Sequence, residues 1–147
     1  MIRKTLLSMV VVAGMLGGIG GASAQMAGKS MTCGYPWCVN YVEVSPSGAA
    51  TVYWNEMRMA NRLTGATIAW MLVGAPDYEL RADSVVITGP NAPGSAAVFP
   101  LRQVLADRYS LDDMNTNSLT YTYDIRVYKK GSPTPVTTTG VIVNSNN

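Results

Sequence analysis

From Cys38 to Asn144 the chain alternates apolar and polar positions in short runs, each closed by Gly, Pro, Asn or Ser. A period of two puts successive side chains on opposite faces of a strand, so this rhythm predicts a β protein. The clearest run is 119–128. Leu119, Tyr121, Tyr123, Ile125 and Val127 share one face, while Thr120, Thr122, Asp124, Arg126 and Tyr128 share the other. The first set reads as core and the second as a face in water. Residues 66–73 form a second such strand, with Ala66, Ile68, Trp70 and Leu72 assigned to the core. Its other face, Thr67, Ala69, Met71 and Val73, is unusually apolar for a solvated side. That face is therefore either covered or a contact surface.

Shorter runs fill in the rest. Residues 39–45 and 49–54 flank Pro46-Ser47-Gly48 as a hairpin. Residues 78–81 and 84–88 read as one strand interrupted by a bulge at Ala82-Asp83. Residues 95–101 and 136–144 are further strands, and 102–118 is mixed, with a short strand or helical turn near 104–109. Met57, Ala60 and Leu63 recur at i, i+3 and i+6, so 55–64 fits a short helix about as well as an irregular connection. Residues 25–32 are small and polar and read as a flexible lead-in. The expectation is an all-β chain: a single antiparallel β-sandwich over 39–147, preceded by a segment at 25–38.

The first 24 residues stand apart. Arg3 and Lys4 precede the apolar stretch 6–16, glycines at 17, 18, 20 and 21 break it, and Ala22-Ser23-Ala24 ends it in small residues. That is the pattern of a cleaved signal peptide, too short and too Gly-broken for a membrane anchor. It predicts an exported product, periplasmic or extracellular, that is not inserted in a membrane once the leader is cut. The leader also changes the charge balance. The whole chain has 11 Lys+Arg against 9 Asp+Glu, and Arg3 and Lys4 account for the excess. A neutral mature chain makes no electrostatic case for nucleic acid or for a polybasic membrane contact.

Histidine is absent, which excludes Ser-His-Asp triads, Cys-His dyads and His-ligated metal. With no other catalytic constellation in view, the expectation is a protein that is not an enzyme and needs no cofactor. Cys33 and Cys38 are the two cysteines, and in an exported chain they allow one intramolecular disulfide. The loop between them, Gly34-Tyr35-Pro36-Trp37, turns tightly through Gly and Pro. The bridge reads first as a local staple that ties no distant parts of the fold. Beside that stands a recognition reading, in which a pinned loop presents Tyr35 and Trp37 at little entropic cost.

Three other groups carry chemistry on paper. Asp113, Asn115 and Asn117 fall at positions 1, 3 and 5 of a calcium-loop spacing, with Asp124 at position 12. Ser118 stands where such a loop needs Gly, and Asp124 lies inside a strand, so an Asp/Asn-rich turn competes with the metal site. Glu79, Asp83, Asp112 and Asp113 are the acids from which a carboxylate-dependent hydrolase would draw a pair, and no spacing brings two together. Met57-Arg58-Met59 offers thioethers to copper, with packing as the simpler reading.

The runs Ile68-Ala69-Trp70-Met71-Leu72, Tyr78-Glu79-Leu80, 121–127 and Val141-Ile142-Val143-Asn144 together resemble a group of small exported bacterial immunoglobulin-like proteins. The resemblance covers roughly 64–144 and implies an immunoglobulin-like sandwich, with Trp70 in its core and Tyr121 or Tyr123 near a sheet corner. It carries no activity. The neighbouring cysteines depart from true immunoglobulin domains, whose disulfide joins distant strands behind that Trp. The functional expectation is an exported binding or structural module whose partner is a protein or a glycan outside the cytoplasm. Tyr35, Trp37, Met71 and Val73 are its candidate contact residues. The alternatives are an inhibitor that inserts Tyr35-Pro36-Trp37 into a secreted hydrolase, and the carboxylate hydrolase itself.

Overall fold

The computed structural model describes residues 29–34, 36–60, 65–89 and 98–145; the expected leader at 1–24 lies outside them. Within these residues the alternating runs fold as eleven strands. They are β1 (Ser30–Cys33), β2 (Trp37–Val44), β3 (Ala50–Val52), β4 (Glu56–Met59), β5 (Ala66–Val73), β6 (Tyr78–Glu79), β7 (Val85–Thr88), β8 (Leu101–Leu105), β9 (Arg108–Asp113), β10 (Thr120–Lys129) and β11 (Pro135–Val143). One sheet runs β1-β4-β11-β10, with β6 and β7 both on the far side of β10, and the other runs β3-β2-β5-β9-β8. None of the described residues forms a helix long and apolar enough to cross a membrane.

The alternation places one face of each sheet in a shared core. Trp70 of β5 meets Tyr123 of β10 edge-on, with ring centroids 5.1 Å apart, so the sheets face each other directly. Ile68, Met57, Ile125 and Ile142 are fully buried around them, and side chains of this size stabilise the fold by about 1.5–3 kcal/mol each. One polar group crosses this core. Asn40 of β2 donates its amide to the Trp54 carbonyl (2.7 Å) and to the Tyr123 hydroxyl (3.0 Å), and accepts from the Trp54 N–H (3.0 Å). Fully satisfied in this way, the buried amide ties one sheet to the other at little cost. Burial pushes the Tyr123 phenol up to about 12, against the pull of the Asn40 hydrogen bond. Across the strand pair Tyr123 faces Gly140, where a Cβ would lie 2.3 Å from the phenolic oxygen. Only glycine leaves room for that ring.

Several expectations hold in detail. Residues 39–45 and 49–54 do pair as an antiparallel hairpin, through β2 and β3. The interrupted strand is real: Glu79 pairs with Tyr128 and Val86 with Asp124, so β6 and β7 lie along one edge of β10 with the chain looped out between them.

Others are corrected. The sheets are mixed where an antiparallel sandwich was expected, because β1–β4, β4–β11 and β2–β5 are parallel. The chain leaves one sheet after β3, runs through the other as β4 and returns as β5, and local alternation carries no trace of that crossing. Of the span 55–64, expected as a short helix or an irregular connection, residues 61–64 lie outside the described set and Glu56–Met59 form β4: Met57 and Met59 alternate into the core while Glu56 and Arg58 point out. This also accounts for the Met57-Arg58-Met59 run as packing. The lead-in at 25–32 contains most of β1, which pairs with β4. Residues 95–97 lie outside the described set, and the strand expected there starts only at Leu101. The mixed stretch 102–118 resolves into a β8–β9 hairpin with Ala106 and Asp107 at its turn.

Cys33 and Cys38 form the expected disulfide, with Cα atoms 5.1 Å apart. Its role differs from a local staple. Cys33 ends β1 in one sheet and Cys38 lies in β2 of the other, so the bridge clamps the two sheets together at one end.

Candidate functional site

Because Ile68 and Trp70 point inward, the intervening residues of β5 define the outer face of its sheet. The parallel register sets Trp37 beside Thr67, Val39 beside Ala69, Tyr41 beside Met71 and Glu43 beside Val73. On the other flank the antiparallel register sets Asp112, Ser110 and Arg108 beside Thr67, Ala69 and Met71, and Leu105 beside Arg108. Trp37, Met71 and Val73, three of the four residues singled out from the sequence, therefore share one face. Tyr35, the fourth, lies outside the described residues.

That face has two halves. Near the disulfide it is closed by side chains. Thr67 donates its hydroxyl to Asp112 (2.8 Å), and Arg102 donates to the same carboxylate oxygen (3.1 Å). The Arg102 guanidinium also lies 5.3 Å from the centre of the Trp37 ring. Asp112 and Trp37 flank Thr67 on opposite sides, so Arg102 spans from one to the other above it, and Thr67 is buried. A cation over an indole adds about 0.5–1 kcal/mol at such a surface. Trp37 remains half exposed, at 51%.

Further along, the face opens. Ala69 is a buried floor, Met71 and Val73 are half-buried, and Tyr41 (43%) and Leu105 (44%) stand exposed to either side. Tyr41 and Leu105 escaped the sequence reading. The alternation of 39–45 places Tyr41 on an outer face, but only the parallel pairing of β2 with β5 sets it against Met71.

The remaining candidates disperse. Asp113, Asn115 and Asn117 lie in the β9–β10 connection, whereas Asp124 sits in β10 facing away from the core, where it accepts from the Thr139 hydroxyl (2.7 Å). The four proposed calcium ligands are not brought together. Asn117 is engaged as a turn residue, accepting from the Leu119 N–H (3.1 Å) and donating to the Tyr121 hydroxyl (2.9 Å). Asp113 is fully buried and accepts from the Asn115 N–H (2.7 Å) and the Asn144 amide (3.2 Å). Burial raises its carboxyl to about 6, with both hydrogen bonds opposing the rise. Among the described residues no three His, Cys, Asp or Glu side chains cluster as a metal site.

The hydrolase acids are separated as well. Glu79 pairs with Arg81 (2.8 Å), Asp83 accepts from the Tyr128 hydroxyl (2.5 Å), and Asp112 is held by Thr67 and Arg102. The hydrogen bond to Asp83 raises the Tyr128 phenol. Asp112 and Asp113, adjacent in β9, point to opposite faces. Two shallow depressions lie at the far end, around Gly74, Ala75, Pro76 and Tyr78, and none of these four acids lines either. No protein-family model and no curated protein matches the sequence, so the functional reading rests on the residues themselves.

Proposed function

We propose that this chain is an exported, immunoglobulin-like β-sandwich that acts by contact, binding another protein outside the cytoplasm. The contact surface is the outer face of the β2-β5-β9 sheet, and its centre is Tyr41, Met71, Val73 and Leu105 with Trp37 at one margin. One observation carries the reading: Trp37, Tyr41, Met71, Val73 and Leu105 present apolar and aromatic surface, divided by Arg108 and bordered by Glu43, on a face that a free-standing sheet would cover with polar groups. Its composition also suits a protein interface, where Tyr, Trp, Met and Arg are enriched. Trp37 is the first residue of a paired strand with its ring against Arg102, which suits a flat contact surface better than an inhibitory loop entering a cleft.

The test is affinity capture from envelope and culture-supernatant fractions with the purified, oxidised protein. Tyr41→Ala and Met71→Glu would be run beside a substitution on the opposite sheet, Thr139→Ala. A stoichiometric protein partner kept by wild type and Thr139→Ala but lost by the other two supports the reading. A partner that survives both face substitutions overturns it, and retention by polysaccharide alone assigns the surface to a glycan.

A further inference from the structure

Among the described residues Asp113 is the one fully buried acid, and none of their Lys or Arg side chains lies within ion-pair distance of it. One carboxylate oxygen receives the Asn115 N–H and the Asn144 amide; the other, Oδ2, is buried with no hydrogen-bond partner. Asn144, 2% exposed, reaches Asp113 from the end of β11 in the opposite sheet, and its own Oδ1 is likewise buried and unpartnered. Two buried oxygens able only to accept are therefore carried by two side chains in hydrogen-bond contact at the disulfide end of the sandwich. Asn115, buried in the same turn at φ 44°, holds the chain in a left-handed bend next to them. A buried acceptor left unmatched costs about 1–3 kcal/mol, and more when charged. Such oxygens call for a positively charged occupant.

The geometry points to a cation site between the sheets, anchored by the Asp113 carboxylate and the Asn144 side-chain oxygen. The donors are all oxygen, with neither nitrogen nor sulfur, which selects a hard cation of the calcium class. A single carboxylate sets a weak site, in the sub-millimolar to millimolar range found in extracellular modules. The ligand set differs from the spacing noted in the sequence: Asp124 and Asn117 are engaged elsewhere, and Asn144, which no local motif includes, takes a place in it. Because Asp113 and Asn144 come from different sheets, the bound ion would act as a second clamp beside Cys33–Cys38.

The purified protein, stripped with chelator, would be melted in 10 mM calcium chloride and in magnesium chloride and potassium chloride at matched ionic strength. Calcium is expected to raise the melting temperature by ~3–5 °C over both controls. Asp113→Asn should lose that rise, and Asn144→Asp should melt lower in chelator and gain a larger calcium response. Equal melting in all three salts overturns the site, as does a calcium response that Asp113→Asn retains. If Asp113→Asn does not fold, Asn144→Asp decides: a calcium response no larger than that of wild type overturns the proposal.

Discussion

The two outer faces of this molecule are built on the same strand rhythm and differ in what the rhythm carries. On the β4-β11-β10 sheet the outward positions are mostly polar, with Glu56, Arg58, Thr122, Asp124, Arg126, Thr137 and Thr139 alongside Tyr128, Val141 and Val143, and local pairs such as Glu56–Arg58 and Asp124–Thr139 join them. On the β2-β5-β9 sheet Trp37, Val39, Tyr41, Ala69, Met71 and Val73 point outward, with the polar residues Glu43, Thr67, Arg108, Ser110 and Asp112 set among them. The first face is finished against water; the second exposes apolar surface that folding alone does not require. On the proposed reading, stability and contact are thereby separated in space: the interior accounts for stability, and the apolar outer face for binding.

The strongest test of the interior is Gly140→Ala. The added methyl would meet the Tyr123 hydroxyl at 2.3 Å and disturb the ring that Asn40 ties to the other sheet. Overpacking of this kind typically costs 1–3 kcal/mol, and here a loss of about 3 kcal/mol or more is expected in urea unfolding. A variant as stable as wild type would mean that the two sheets are not registered through Tyr123.

Next in size is a pH effect from Asp113. Its carboxyl titrates near 6 in the folded chain, raised by burial from the ordinary 3.8, so the folded state binds the proton more tightly than the unfolded one. In metal-free protein, acidification from pH 7 to about 4 should therefore add stability, on the order of 3 kcal/mol from this group. That contribution is lost as the pH rises through 6. Asp113→Asn should flatten the slope, and a wild-type slope in that variant would place the titration elsewhere.

The disulfide comes third. Closing so short a loop contributes about 2 kcal/mol on the chain-entropy model, so the double Cys33→Ala, Cys38→Ala variant should unfold earlier by that amount. Its position between the sheets adds a second expectation, that hydrogen exchange in β1 quickens more than in β10. Uniform quickening would argue against a clamp at one end.

How far these regions were legible depended on the range of the interaction that fixes them. β5 and β10 are long enough for a period of two to show, and their core faces read straight from Ile68, Trp70, Tyr121 and Tyr123. The placement of Met71 and Val73 opposite those residues was equally plain. β4 is four residues long, and the spacing of Met57, Ala60 and Leu63 imitated a helical stripe. The parallel pairings follow from the path of the chain between sheets, which no local pattern encodes. Tyr41 beside Met71 is a consequence of that path. So is Asn144 beside Asp113, two residues 31 apart that meet only when the sheets close.

The smallest expected effects on stability divide the two faces most cleanly. Met71 pairs across β9 with Arg108, whose Nε is buried without a partner. Met71→Glu sets a carboxylate opposite that guanidinium, and a cross-strand pair of opposite charge is worth about 0.2–1 kcal/mol. The gain offsets much of the lost apolar contact, so the melting temperature should stay within a few degrees of wild type. Thr139→Ala on the other face removes an exposed hydrogen bond to Asp124 and should change stability by no more than about 0.5 kcal/mol. Folding is thus indifferent to both substitutions, whereas a contact made through the apolar face is not. Affinity for the captured partner should fall at least tenfold with Met71→Glu, because a charge is forced into a desolvated interface. It should not move with Thr139→Ala. Equal losses from both would show that the faces do not differ in function, however much they differ in composition.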